Sequence, residues 1–139
     1  MKHIQFFIFL LLLAVAGVQA QTTETQYLSG TDKDNTLPWE FFCSEGMNSG
    51  KWTTIAVPSH WDTEGFGGMN YGHDRDPHTE KGFYRHEFSV SSKWKDKEVY
   101  IVFEGSMTDT EVRINGRSAG PVHQGAFYRF KYNISPLLK

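Results

Sequence analysis

Residues 112–130, VRINGRSAGPVHQGAFYRF, open as a tight hairpin and then run into a loop of Gly, His, Gln and aromatic residues. Both central positions of a type I′ turn need φ > 0, and an Asn-Gly pair meets that need best. Asn115-Gly116 therefore closes a two-residue turn between a strand ending at Ile114 and a return strand over 117–120. Before the turn, DTEVRING (109–116) alternates strictly, Val112 and Ile114 inward, Glu111 and Arg113 outward. The reading that follows is β, and the rest of the chain agrees with it.

Working outward, alternation recurs from Lys51 onward and helical periodicity is nearly absent. KWTTIAVP (51–58) puts Trp52, Thr54 and Ala56 on one face and Thr53, Ile55 and Val57 on the other. FYRHEFSV (83–90) alternates Tyr84, His86, Phe88 and Val90 against Phe83, Arg85, Glu87 and Ser89. EVYIVFEG (98–105) is apolar on both faces, as a central strand covered on both sides is. Short strands with turn signals between them predict an all-β fold, an antiparallel jelly-roll β-sandwich. LPWEFF (37–42) is expected to pack across the sandwich edge, and FKYNISPLLK (130–139) stops where another strand is expected. A missing last strand exposes an edge that proteins normally cover, so the expectation is an incomplete sandwich at the front of a longer polypeptide.

Residues 1–20, MKHIQFFIFLLLLAVAGVQA, have a basic start, an apolar run from Phe6 to Val15 and small residues at Gly17 and Ala20. That layout predicts a secretory signal peptide cleaved after Ala20, since the run is shorter than the ~20 apolar residues a membrane span needs. Losing Lys2 with the leader leaves 13 Lys+Arg against 16 Asp+Glu, a net charge of −3 on the remaining 119 residues. Such a chain has nothing to attract nucleic acid or anionic lipid, and no membrane partner is expected after cleavage. One domain is the natural count at this length. Its single cysteine, Cys43, excludes an internal disulfide and reads as a buried or idle thiol. Stability must come from packing, which the many aromatic residues can supply.

Together, WTTIAVPSHW (52–61), GFYRHEFSV (82–90), VYIVFEGSMTDTEVRINGRSAG (99–120), HQGAFYRF (123–130) and YNISPLL (132–138) resemble the N-terminal sugar-binding domain of glycoside hydrolase family 2. That family comprises β-galactosidases, β-glucuronidases and β-mannosidases. The likeness covers about residues 37–139, looks most like exported Bacteroidetes members, and implies a galactose-binding-domain-like jelly roll and a periplasmic location. Departures are Ala126 where the family often has Gly, Arg129 where it has Pro, and Phe83 where it commonly has Trp. The resemblance implies that two glutamates on a TIM barrel do the chemistry. A barrel needs about 200 residues or more, and this chain, committed to strands, also lacks the Asn-Glu dipeptide of the family's acid/base. No catalytic residue is therefore expected here, and the partners implied are a carbohydrate substrate and the missing barrel. No cofactor is expected, and a homo-oligomer stays open.

Long loops inside compact β-domains usually carry function, and 59–81 is the longest. The resemblance makes Asn70 the candidate substrate contact, an amide that offers sugar hydroxyls both donors and an acceptor; followed by Tyr71-Gly72, it also reads as a plain turn residue. Trp61, Phe66 and Tyr71 can form a platform for a pyranose ring or serve as core. HDRDPH (73–78) sets His73, Asp74, Asp76 and His78 in a row that suggests Ca²⁺ or Zn²⁺, but the spacing fits no standard metal loop. His73 stands with Asn70, Tyr71, Trp61 and His123 as a substrate-binding candidate. His123, in the Gly-flanked loop after the hairpin, is placed by the resemblance near a domain interface; satisfaction within its own loop is the alternative. Arg85 and Glu104 are read as an ion pair fixing strand ends, and Asn133-Ile134-Ser135 matches a glycosylation acceptor.

The leading expectation is a support and sugar-binding domain of a secreted β-galactosidase-like glycosidase. The alternatives are a stand-alone, non-catalytic carbohydrate-binding module and a structural sandwich of a cell-surface assembly.

Overall fold

The computed structural model describes residues 22–68 and 79–139. Residues 1–20 therefore lie outside the described residues, as do Asn70, Tyr71, His73 and the rest of HDRDPH. Among the described residues regular structure is seven strands and two single-turn 3-10 helices, with no α-helix. The strands are β1 (Leu37–Cys43), β2 (Trp52–Val57), β3 (Gly82–Arg85), β4 (Tyr100–Phe103), β5 (Arg113–Ile114), β6 (Arg117–Ser118) and β7 (Phe130–Asn133). All pairings between them are antiparallel, so the chain is all-β. It divides into a unit ending at His86 and a unit over Glu87–Lys139.

The first unit is a three-stranded sheet in the order β2-β1-β3. LPWEFF thus belongs to the central strand and not to an edge. Its backbone pairs with β2 along one edge and with β3 along the other. Trp39 faces Ile55 across β2, and Phe41 lies between Thr53 and Tyr84. Phe41, fully buried, packs with Cys43, Ile55 and Phe66, flanked by Val57 and Trp61. The Phe41 ring meets those of Phe66 at 4.9 Å, Tyr84 at 4.8 Å and Trp61 at 5.8 Å. Trp39 stacks on His86 at 4.6 Å and 6°, and its indole N–H donates to the Leu28 carbonyl.

The predicted strand 83–90 ends at Arg85, the last residue paired with β1. Beyond it Phe88 and Val90 pack in the second unit, against a core of Val99, Ile114, Ile134 and Leu137. Among the described residues β4 pairs with β7 alone, so there the double-faced apolar pattern of 98–105 does not mark a central strand. Its inner residues Ile101 and Phe103 face Tyr132 and Phe130, with Phe103 and Phe130 stacked at 4.8 Å. Tyr100 and Val102 stay exposed, and Lys131 lies over the Tyr100 ring.

The hairpin forms as expected. Asn115 and Gly116 have φ of 52° and 79°, Val112 and Ile114 are buried, and Glu111 pairs with Arg113 outside. The regular ladder is only Arg113–Ile114 with Arg117–Ser118, extended by the Ala119 amide donating to Val112 and by a bridge between Thr110 and His123. The Asn115 side chain also donates to the Leu137 carbonyl at 2.8 Å, tying the turn to the last 3-10 helix, Ser135–Leu137. Asn115→Ala removes that bond and places a Cβ-bearing residue without local compensation at positive φ. We expect it to destabilise the unit by about 2 kcal/mol, read as a lower denaturant midpoint at constant slope.

Arg85 and Glu104 do not pair. Arg85 forms a two-bond pair with Glu40 across the β1–β3 register, while Glu104 pairs with Arg129 at 3.3 Å. Residues 40 and 85 sit directly opposite, which brings the two side chains together without extending either.

Candidate functional site

The strongest site geometry among the described residues lies beside the first core, around residues 60–68 and 79–82. After β2, residues 60–66 fold into a compact turn. The His60 carbonyl accepts from the Thr63 and Glu64 amides, the Trp61 carbonyl from the Glu64 and Phe66 amides, and the Asp62 carbonyl from the Gly65 amide. This winding turns Trp61 and Phe66 back onto Phe41. The turn is pinned from outside by the Asn48 amide, which donates to the Gly65 carbonyl at 2.8 Å. Met47 and Gly67 exchange backbone bonds of 2.9 and 3.1 Å.

Both ends of the 69–78 segment are anchored. The Gly68 amide donates to Glu80 Oε1 at 3.0 Å, and the Lys81 amide donates to Ser44 Oγ at 2.8 Å. The Lys81 carbonyl in turn accepts from the Ser44 amide. The described residues that flank 69–78 are thus held in place beside the first core.

That base is acidic and partly dry. Asp62 Oδ1, Cys43 Sγ and Glu80 Oε1 each lie 3.8–3.9 Å from where a Gly67 Cβ would stand. Gly67 holds φ +73°, a conformation that suits glycine. Among the described residues no three His, Cys, Asp or Glu form a metal site. Cys43 is buried and donates to the Glu45 carbonyl at 3.1 Å, as an idle thiol would. The Tyr84 phenol is pushed up to about 12, first by burial and then by the Asp62 carboxylate and Cys43.

A raised phenol value leaves stability untouched below the ordinary tyrosine pKa near 10 and erodes it as pH climbs toward 12. Titration of phenolate absorbance should show Tyr84 ionising near pH 12, as judged by difference from Tyr84→Phe. Asp62→Asn should lower that value only in part, because burial remains.

The other candidates fall as follows. Trp61 is half-buried, with its six-membered ring directly over Gly82: a Cβ there would sit 1.7 Å from Trp61 Cζ3. In the second unit the His123 ring stacks on Phe130 at 3.8 Å, and its Nε2 meets the Gly125 carbonyl at 2.9 Å. His123 is thus partnered within its own loop, where Gln124 also donates to Asp109. Trp61 and His123 belong to different units; Asn70, Tyr71 and His73 lie outside the described residues. Ser135, in the sequon, accepts from the Val99 amide through Oγ, and Asn133 Oδ1 accepts from the Ser135 amide.

Sequence reading missed two features. One is the Asp62–Glu80–Cys43 ring around Gly67, whose members are up to 37 positions apart and joined only by the fold. The other is a row of aromatic residues on the outward sheet face. Its signal was present, since Trp52 and Phe83 are aromatic residues on the polar sides of alternating strands.

No protein-family model matches the chain. It is similar to large glycosidases. It is 31% identical over 114 residues to a β-galactosidase of Priestia megaterium, which covers 71% of this chain and 11% of that enzyme. It is 30% identical over 114 residues to a β-glucuronidase of Formosa agariphila, covering 74% of this chain and 12% of that protein. It is 28% identical over 120 residues to the β-galactosidase BoGH2A of Bacteroides ovatus, covering 76% and 14%. The chain spans about a tenth of the length of the curated relatives it matches. Fold and likeness together define an all-β domain related to glycosidases.

Proposed function

We propose that this chain is the N-terminal jelly-roll domain of a larger, exported enzyme of glycoside hydrolase family 2, of Bacteroidetes type. In this reading residues 1–20 are a cleaved leader and the mature protein is periplasmic. The domain buttresses a catalytic barrel and lends residues from 61–78, Asn70 and Tyr71 above all, to one rim of the sugar pocket. The whole protein hydrolyses a terminal β-glycosidic bond with retention, using two carboxylates about 5 Å apart that the barrel supplies. The observation that carries the reading is similarity over most of this chain to β-galactosidases and β-glucuronidases many times its length. The hydrogen bonds that fix the flanking residues Gly68 and Lys81 support it, because a loop that positions substrate needs rigid ends.

The test is Asn70→Ala in the full-length enzyme. If Asn70 contacts the sugar, kcat/KM falls about tenfold or more while the melting temperature stays put. Unchanged kinetics would remove Asn70 from the pocket and leave the domain a support alone.

A further inference from the structure

The outward face of the first sheet carries Phe42 between Trp52 and Phe83, one ring from each strand on a single rung of the ladder. Ring centroids are 5.7 Å apart for Phe42–Trp52 and 5.9 Å for Phe42–Phe83, so the three form one continuous row across the sheet. Trp52 and Phe83 each keep 48% of their surface exposed. The next rung is polar: Thr54, Glu40 and Arg85. Arg85 is locked to Glu40 by two hydrogen bonds, and its guanidinium lies over the Trp52 ring at 4.5 Å. The bond from Arg85 also holds the Glu40 carboxyl below the usual range, so the pair stays ionised and mutually neutral.

The geometry points to a glycan-binding surface on this face, made by Trp52, Phe42 and Phe83 with Glu40 and Thr54 beside them, that takes an extended, uncharged polysaccharide. The aromatic row offers apolar planes to the C–H faces of successive pyranose rings, and its span across three strands suits a chain more than a single sugar. The rings are inclined to one another by 46° and 67°, which matches a soluble, twisting chain and not a flat crystalline surface. The polar rung gives hydroxyl groups a threonine and a carboxylate, each of whose two oxygens accepts one bond from Arg85 and has capacity for a second. Because the two charges cancel, an ionic partner gains nothing here and a neutral, hydroxyl-rich one loses nothing. This surface is separate from the pocket rim proposed above, and its binding does not depend on the protein cleaving anything.

Electrophoresis of the full-length protein through native gels containing hydroxyethylcellulose or galactomannan tests the proposal, with polygalacturonate as the charged comparison. Retardation by a neutral glycan and none by polygalacturonate is expected. Trp52→Ala and Phe83→Ala should each weaken retention about tenfold at unchanged far-UV circular dichroism, and Tyr27→Ala, an exposed aromatic off the sheet, should not. Phe83→Trp, which enlarges the row without opening the core, should tighten retention about threefold. Retention that survives Trp52→Ala with Phe83→Ala together overturns the proposal. So does mobility unaffected by any neutral glycan, including the case where this face instead makes the protein self-associate.

Discussion

Phe41→Ala is expected to take away a large share of the first unit's stability. Phe41 has no exposed surface, and its ring is the shared contact of Trp61 and Phe66 from the 60–66 turn and of Tyr84 from β3. Removing a buried phenylalanine costs about 3–5 kcal/mol, from lost transfer energy plus the cavity left behind. A domain of this size has only about 5–15 kcal/mol in hand, so this one change takes a large share of it. Little relaxation can fill the gap, because Phe41 stands on the central strand with β2 and β3 fixed on either side. Denaturation followed by tryptophan fluorescence should show the midpoint collapse. Phe41→Leu should recover about half of the loss, and a Phe41→Ala variant within 1 kcal/mol of the parent would show that this core is not where the unit's stability lies.

The second large effect is expected at Gly82. An added methyl would overlap the Trp61 ring, at 1.7 and 2.2 Å from two of its carbons, and would touch Phe41 at 3.0 Å. Trp61 cannot withdraw without leaving its seat, since the turn that carries it is closed by its own carbonyl bonds to Glu64 and Phe66. Overpacking of this kind costs about 1–3 kcal/mol. Gly82→Ala should therefore lower stability and shift Trp61 emission to longer wavelength as the ring is pushed into water. In the full-length enzyme it also separates two roles for Trp61. If the ring serves the core, kcat/KM follows the folded fraction; if it touches sugar, kcat/KM falls below that fraction.

Much of the fold was legible because the hairpin and β2 obey local rules. Asn115-Gly116 needs no distant partner to specify its turn, and Ile55 and Val57 mark the inner face of β2 by alternation alone. The central strand was not legible. β1 is apolar on both faces, so no period reveals that Trp39 and Phe41 point to one layer while Phe42 points to the other. The Glu40–Arg85 pair joins residues 45 positions apart and exists only because two strands lie in one register, whereas Arg85 and Glu104 belong to separate units. β3 stops early because its alternation continues past the point where its ladder ends, with Phe88 and Val90 serving another core. At the candidate site, aromatic content marked the loop, but the inward turn of Trp61 and Phe66 is set by backbone carbonyl bonds that leave no side-chain pattern.

We propose that these strands help hold a sugar and leave its cleavage to a catalytic barrel. The direct measurement is release of chromophore from aryl β-galactoside and β-glucuronide by two purified proteins, the full-length gene product and a chain ending at Lys139. The prediction is turnover by the full-length protein and none by the short chain at any concentration. Turnover by the short chain alone would contradict it, because the chemistry would then have to reside in residues assigned here to support.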